Sequence, residues 1–514
     1  MKQSTGRLLG ARLLSSQAAL GLGMAVAVVA GIAACNGNST NNCHNLPQAI
    51  GVIGQDNFIT GTPNTGGVLG TSLGGVKGSV TVGTTTSGTA TYVADSTNNR
   101  ILGFTGVPTG FNNAAVFEIG QGTAAGTDFT DAIPGTCQPI ATNCPTGSSL
   151  IQFSDPAKVF TDSNNQYLVV ADSGNNRVLI WNNGGTGMEP SSNSYPDVVV
   201  GQPDFTSGVS NNGSGSTDPL TCAGGVGNTA GNPSQCNLNF PTSAYIAGNQ
   251  LIVADSNNNR VLIWDPVPTA NGTPATIELG QLNCSADTVG AQGFVIASPF
   301  VCSVPQIDQF SEANNEFTLA MNHPGDVWSD GSILLVADTQ NNRILGWQGG
   351  IPNQNDELAD GIIGNTAFGS VSQTGGSGSS GLHNPTGVTS DGTSVFVADS
   401  TNNRVLEFQT YIASLSLGPA ANYVYGQEDF AHVTDDDPDQ NNQPGDQRNN
   451  PPTLGITAGT YDDPLGVYAN ATLNVVYVTD TGNSRVLQYT ETSGNPLGPT
   501  GVNGTDPQDT NFCF

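Results

Sequence analysis

The residues of this chain that could do chemistry are few: four histidines, nine cysteines and one dense run of aspartates in 514 residues. His323 stands directly before Pro324 and His383 just ahead of Pro385, so the two look comparable and could face one opening; His44 and His432 lie elsewhere. Two imidazoles only begin a zinc site, which wants three or four ligands, and no cysteine pair has the Cys-x-x-Cys spacing that would complete one. The run Asp435-Asp436-Asp437-Pro438-Asp439, followed by Asn441 and Asp446, sets oxygen ligands at alternate positions. Asp435, Asp437, Asp439 and Asp446 are therefore candidate Ca²⁺ ligands, but Gln440 stands where an EF-hand-like loop needs Gly and Asp446 where it needs Glu. A solvated acidic loop is the simpler reading, and apart from that Ca²⁺ no cofactor is expected. Gly70-Thr71-Ser72-Leu73-Gly74 spells Gly-x-Ser-x-Gly, yet it sits in a Gly-rich stretch without the strand-turn-helix context of a nucleophile elbow. No residue is given a catalytic role, and an enzyme is the less favoured reading.

The basic residues are allocated differently. Of 12 lysines and arginines, Lys2, Arg7 and Arg12 lie in the first residues of the chain, and six more recur in one pattern: Arg100, Arg177, Arg260, Arg343, Arg404 and Arg485. Each follows an aspartate by five residues (Asp95, Asp172, Asp255, Asp338, Asp399, Asp480), close enough across a tight turn for a charge-assisted contact. That makes the pairs structural; a ring of carboxylates holding a cation is the alternative. The pattern runs Val93-Ala94-Asp95-Ser96-Thr97-Asn98-Asn99-Arg100-Ile101-Leu102 and returns from Val170, Val253, Val336, Val397 and Val478. Each copy is a β-rich run, a polar Asn-containing turn and a second apolar run ending in Phe104, Trp181, Trp264, Trp347, Phe408 or Tyr489, which predicts a hairpin. Its strands are apolar at consecutive positions, as when both sheet faces are buried. A short strand headed by Pro156, Pro241, Pro324, Pro385 or Pro464 precedes every copy but the first.

A second signature alternates with this one: Gly54-Gln55, Gly120-Gln121, Gly201-Gln202, Gly280-Gln281, Gly364-Asn365 and Gly426-Gln427, each closing a further strand. Six units of four strands predict an all-β, six-bladed β-propeller. The Asp-Ser-x-Asn-Asn-Arg-Val-Leu segment after a Val-Ala strand resembles the NHL repeat over roughly residues 49 to 490, with copy six departing most at Thr479, Thr481 and Ser484. That resemblance implies a six-bladed propeller but no single activity, since such propellers bind ligands, proteins or RNA and in one lyase group are catalytic. The lyase-like group uses several histidines for zinc, and only His323 and His383 answer to them here. The first Gly-Gln strand, Ala49 to Gln55, precedes copy one and none follows copy six, so the N-terminal strand is expected to complete the last blade and close the ring.

The bulk numbers suit this architecture. With 67 Gly and 30 Pro, 10% charged residues and a net charge of −29, the chain favours short strands and turns and would be repelled by phosphate backbones and anionic lipids. Nucleic acid is therefore not an expected partner. Lys2, Arg7 and Arg12 precede an apolar run from Ala18 to Ala34, the layout of a secretory signal peptide, and Ile32-Ala33-Ala34-Cys35 resembles the lipobox of bacterial lipoproteins, with Ile where Leu is commoner. The expectation is a signal peptide at 1–34, a lipidated Cys35, a flexible tether at 35–48 and one propeller at 49–514, held at the cell envelope by lipid alone. An ordinary cleaved signal with an incidental cysteine is the alternative. Eight other cysteines in an exported chain read as disulfides: Cys137 with Cys144, Cys222 with Cys236, Cys284 with Cys302, and Cys43 near Cys513. The long connections after each Gly-Gln strand should share one face with the Asp-Asn-Arg turns. The function expected is a binding scaffold presenting those loops to a protein, glycan or small molecule; the alternative is a metal-dependent lactonase-like or lyase-like propeller enzyme.

Overall fold

A computed structural model describes residues 49–490 except 59–60, 79, 86–87, 121–151, 163–165, 183–195, 212–234, 281–320, 356, 366–375, 410–416, 428, 432 and 434–460. Cys35, the tether, the acidic run, His44, His432 and every cysteine but Cys236 lie outside the described residues. Cys236 is disulfide-bonded to a partner outside them.

Each of the six repeats forms one four-stranded antiparallel sheet. In the second blade β6 (Pro156–Thr161) is innermost, followed outward by β7 (Tyr167–Asp172), β8 (Arg177–Asn182) and β9 (Val198–Val200). Blade one is β2 to β5 (Val80–Thr85, Gly88–Asp95, Arg100–Thr105, Phe117–Ile119), and blade three is β10 to β13 (Pro241–Ala247, Gln250–Asp255, Arg260–Trp264, Ile277–Leu279). Blade four is β14 to β17 (Pro324–Ser329, Ile333–Asp338, Arg343–Gln348, Gly361–Ile363), and blade five is β18 to β21 (Pro385–Ser390, Ser394–Asp399, Arg404–Gln409, Tyr423–Tyr425). Blade six takes β22 (Pro464–Asn470), β23 (Val475–Asp480) and β24 (Arg485–Thr490) from the C-terminal side and its outer strand β1 (Gly51–Ile53) from the N-terminal side, in the order β1-β24-β23-β22. Ile53 faces Val486 and Gly51 faces Gln488. The ring closes as the order of signatures predicts.

Both faces of each blade are buried because neighbouring sheets stack on them. Val169, Ala171, Val178 and Ile180 join Ala244, Ile246, Val253 and Leu262 in the core between blades two and three, while Leu168, Val170 and Leu179 face blade one. Consecutive apolar residues are thus required rather than alternation.

The Asp-to-Arg turn is a short 3-10 segment, Ser173–Asn175 in blade two, ending on an asparagine in the left-handed region (Asn176, φ 53°). Every residue of it has a task. The aspartate Oδ2 accepts from the arginine Nε at 2.5–2.8 Å in all six copies and from the first asparagine at about the same reach, as from Asn175 at 2.9 Å. Its Oδ1 accepts a backbone N–H from the segment entering the same blade, as from Ser154 at 2.8 Å. The serine or threonine hydroxyl crosses to the next blade, Ser96 to the Pro156 carbonyl at 2.7 Å and Ser400 to that of Pro464 at 2.7 Å. The second asparagine also crosses: Asn99, Asn176, Asn259, Asn342 and Asn403 accept the N–H of Asp155, Phe240, His323, Asn384 and Asp463 at 2.7–2.9 Å.

That crossing contact gives a first prediction. Asn259→Ala removes an acceptor for the His323 N–H and puts a Cβ-bearing residue with no local hydrogen bond at φ 56°, for a combined loss of about 2 kcal/mol in denaturant unfolding. Asn259→Asp, which keeps both the acceptor and the tolerance of that backbone region, should lose less than half as much. Equal losses would show that the crossing bond does not matter.

Candidate functional site

The strand registers place the connections between blades. Innermost strands start, and outermost strands end, at the edge that carries the Asp-Arg turn: Pro156 lies opposite Asp172, and Val200 opposite Val178. The described ends of the outer-to-inner connections therefore lie on the face that bears the turns, whereas the opposite face carries tight links such as Asp330–Ser332 between β14 and β15.

The arginines anchor the roots of these connections. Besides its aspartate, Arg100 Nη2 donates to the carbonyls of Leu69 (2.8 Å) and Ser72 (3.1 Å), Arg260 to Asn237 (3.0 Å), and Arg404 to Phe430 (2.6 Å), Gly378 (3.1 Å) and Gly381 (3.0 Å). Arg177 reaches the carbonyls of Phe205 and Gln152, and Arg485 that of Phe58. Phe58, Phe205 and Phe430 each stand three residues after the glutamine of a Gly-Gln pair, so a Gly-Gln-x-x-Phe motif recurs that sequence reading missed, although its spacing was there to find. The glutamine ties back to its own blade, as Gln202 does to the Asn176 carbonyl at 2.9 Å. The cation-binding alternative for the six aspartates fails on this geometry: they are wholly buried inside the blades, and each is saturated by donors. Burial pushes the carboxyls of Asp172, Asp255 and Asp399 up, against the pull of the paired arginine and N–H donors. Arg100 and Arg260 have a second carboxylate from the outer strand, Glu118 at 3.4 Å and Glu278 at 3.5 Å.

Around the axis the innermost strands contribute two layers at matched register. The first holds Lys158, Ser243, Asp326, Gly387 and Gly466, and the second Thr81, Phe160, Tyr245, Trp328, Thr389 and Tyr468. Lys158 of blade two forms a buried ion pair with Asp326 of blade four. Asp326 also accepts from Ser243 Oγ (2.7 Å), the Val327 N–H (2.8 Å) and the Val388 N–H (3.1 Å), so one carboxylate ties blades two, three, four and five together. Below it Phe160 and Tyr245 stack with centroids 3.9 Å apart, and the Lys158 ammonium stands 5.6 Å from the Tyr245 ring. Burial, with Tyr468 and Asp326 nearby, pushes the Tyr245 phenol up. Sequence reading passed over this pair. Its signal was a lysine in an otherwise apolar inner strand, Pro156-Ala157-Lys158-Val159-Phe160.

Above that floor, on the turn-bearing face, lie the residues just ahead of the innermost strands: Lys77, Asp155, Phe240, His323, Asn384 and Asp463. Lys77 Nζ meets Asp155 at 2.5 Å and stands 5.9 Å from the Phe240 ring centroid. His323 is half-buried, its imidazole held below its usual range by burial, with Nδ1 2.9 Å from Asn322 Oδ1. The two histidines are not equivalent, contrary to their apparent likeness in sequence. The His323 N–H is bonded to Asn259 of the preceding blade, whereas the His383 N–H is bonded at 2.6 Å to Asp399 of its own. One residue of register separates them, because His383 is followed by Asn384 before its proline. Among the described residues no three of His, Cys, Asp and Glu are grouped as metal ligands.

Residues 461–489, which carry β22, β23 and nearly all of β24, match the family model of the NHL repeat. One of the six repeats thus matches the NHL model, and the fold as a whole is a six-bladed β-propeller. The match falls on copy six, the copy whose turn departs most from the other five; there Thr481 replaces the serine and still donates across the ring seam, to the Val76 carbonyl at 2.5 Å. No curated protein matches the chain. Among solved structures the propeller is similar to a Bacteroides uniformis protein provisionally named a 6-phosphogluconolactonase, at 10% identity and a TM-score of 0.38, covering 82% of this chain and 83% of that one. No activity is carried over from that likeness.

One buried carboxyl lies away from the mouth. Glu407 of β20 accepts from Tyr425 Oη at 2.5 Å and Ser394 Oγ at 3.0 Å, and burial pushes it above the usual carboxylate range, with Asp391 adding to the shift. A raised folded-state pKa means that the folded protein holds the proton longer than the unfolded chain, so stability is lost as pH rises from the ordinary Glu value through the folded one. Gln488 occupies the same register in blade six. Glu407→Gln should therefore remove this slope and leave the variant more stable than the parent at neutral pH by thermal melting; an unchanged difference from pH 4 to 8 would refute it.

Proposed function

We propose that this six-bladed propeller is an extracytoplasmic binding module, tethered through a lipidated Cys35, that recognises a protein, glycan or small molecule with its looped face. The observation that carries the reading is the filled axis. Lys158, Asp326 and four aromatic side chains occupy the place where a catalytic channel would run, and the varied groups stand at the turn-bearing edge, beside loop roots that the arginines anchor. Loops held on a rigid scaffold are the usual carriers of recognition. A mouth with a half-buried, ion-paired lysine, an aromatic ring, an amide and acidic groups suits a polar, partly apolar ligand better than a nucleic acid, given the net charge of −29.

The test has two parts. Glycan, peptide and metabolite panels are screened by ligand-induced thermal shift against the full chain and against Phe240→Ala and Lys77→Glu, which alter only the mouth. A ligand that stabilises the parent, with at least tenfold weaker affinity for either variant, supports the reading. Metal-dependent turnover of a lactone or amide substrate by the same protein would replace it with the enzymatic alternative. For the anchor, Cys35→Ser should shift the expressed protein from the detergent to the aqueous phase of a Triton X-114 separation, and no shift would remove the lipid from the proposal.

A further inference from the structure

One matched position, the last before the innermost strand, is held by Asp155, Phe240, His323, Asn384 and Asp463 in blades two to six. All five residues lie in the left-handed region, with φ between 49° and 54°, and each gives its N–H to an asparagine of the preceding blade. Asparagine, aspartate and histidine enter that region readily, whereas a bulky apolar residue there is strained. The repeat thus supplies its own control: four copies carry a residue suited to the backbone, and Phe240 is the exception.

Core packing among the described residues does not offset that strain. Phe240 is half-buried and stands in none of the apolar clusters between the blades, and among the described residues its one ring contact is the Lys77 ammonium, 5.9 Å from the centroid. The segment leading to it is nevertheless fixed. Cys236 is disulfide-bonded, the Asn237 carbonyl accepts from Arg260 Nη2 at 3.0 Å, the Leu238 carbonyl accepts the Asn211 N–H at 3.0 Å, and the Asn239 N–H is held by Asp255 at 2.7 Å. A backbone outlier over-determined by its surroundings is a mark of function, and a ring on so rigid a segment loses little freedom on binding.

The groups around it narrow the ligand. The flanking blades place Asp155, joined to Lys77 at 2.5 Å, and His323, whose Nδ1 lies 2.9 Å from Asn322 Oδ1, at the same position. With Nδ1 donating to that carbonyl oxygen, Nε2 of the neutral imidazole is an acceptor. Asn384 and Asp463 stand at the matched positions beyond. A sugar ring fits this set. The C–H groups on one face of a pyranose carry slight positive charge and lie flat on the negative face of an aromatic ring, while its hydroxyls pair with carboxylate, amide and imidazole groups. An anionic ligand is disfavoured, because Lys77 is already paired with Asp155 and the chain carries a net charge of −29. A wholly apolar ligand would leave the polar groups without partners.

We propose that Phe240 is the stacking platform for a neutral glycan, with Asp155 and His323 of the flanking blades as hydrogen-bond partners of the sugar hydroxyls. The inference rests on the binding reading above and names the ligand class of that face. Phe240 then lowers the stability of the fold that carries it, which separates a binding ring from a structural one.

Two measurements on the full chain test it. Phe240→Asn, which suits the backbone and keeps the N–H bond to Asn176, should melt no lower than the parent; a lower melting point makes the ring structural and overturns the assignment. Maltohexaose, cellohexaose, xylohexaose, mannohexaose and chitohexaose are then tested by titration calorimetry and saturation-transfer NMR. At least one should bind, with the strongest transfer to the C–H protons of one sugar face. Its affinity should fall on the order of tenfold in Phe240→Asn and in His323→Ala, and persist in Phe240→Tyr. Binding of none of these glycans, or equal binding by the parent and Phe240→Asn, overturns the proposal. A peptide or metabolite whose thermal shift is lost in Phe240→Ala would then leave the binding module standing with another class of ligand, whereas no ligand of any class would remove both.

Discussion

Asp255→Ala is expected to destabilise the propeller by about 3–5 kcal/mol, the range for removing one partner of a buried ion pair. Three donors converge on this wholly buried carboxylate: Arg260 Nε at 2.7 Å, Asn258 Nδ2 at 2.8 Å and the Asn239 N–H at 2.7 Å. Alanine strands all three in a site without water access, and the guanidinium is the costliest of them. Arg260 keeps the Asn237 carbonyl and Glu278, so the loss stays at a few kcal/mol. Asp255→Asn keeps the shape and one acceptor, and because burial already disfavours the charged form it should lose about half as much as alanine. Against a total stability of about 5–15 kcal/mol, either loss shows clearly in a urea midpoint. A midpoint for Asp255→Ala within about 0.2 M of the parent would mean that the repeat pair is dispensable.

The second large effect belongs to the axis. Lys158→Met and Asp326→Ala should each cost about 3–5 kcal/mol, since each leaves its partner's charge buried across the ring. Lys158→Met with Asp326→Leu should cost less than either single change. Two apolar side chains fill the layer above Phe160 and Tyr245, leaving Ser243 and the N–H groups of Val327 and Val388 as the groups without that acceptor. A double-mutant cycle by urea denaturation gives the coupling directly. Additive losses would show that the pair does not join the blades energetically. Ligand binding at the mouth should survive the double substitution if the pair serves as a floor and takes no part in recognition.

Much of this fold was legible because its determinants are local and repeated. Asp, Ser, Asn, Asn and Arg at fixed offsets specify a turn whose contacts lie within one hairpin or reach its neighbour, and six copies of one turn leave little but a ring. Ring closure was legible too, from the order in which the two signatures appear. The roles of Ser96 and Asn99 as ties to the next blade were not, because their partners, Pro156 and Asp155, lie far along the chain. Nor was the true register of the histidines, since one residue of offset before a proline changes which blade holds the backbone.

The sequence by itself determined the blade count, the four-strand unit, the pairing of every repeat arginine with its aspartate and the face that bears the long connections. These come from short-range chemistry, where residue type and spacing decide which groups can meet. Tertiary structure alone decided what stands at the axis. Lys158, Ser243 and Asp326 share no motif and come from three blades, and they meet because circular stacking brings matched positions of the innermost strands to a common centre. Whether a propeller has an open channel or a filled one depends on the volume and charge of six such positions taken together, which no single repeat encodes.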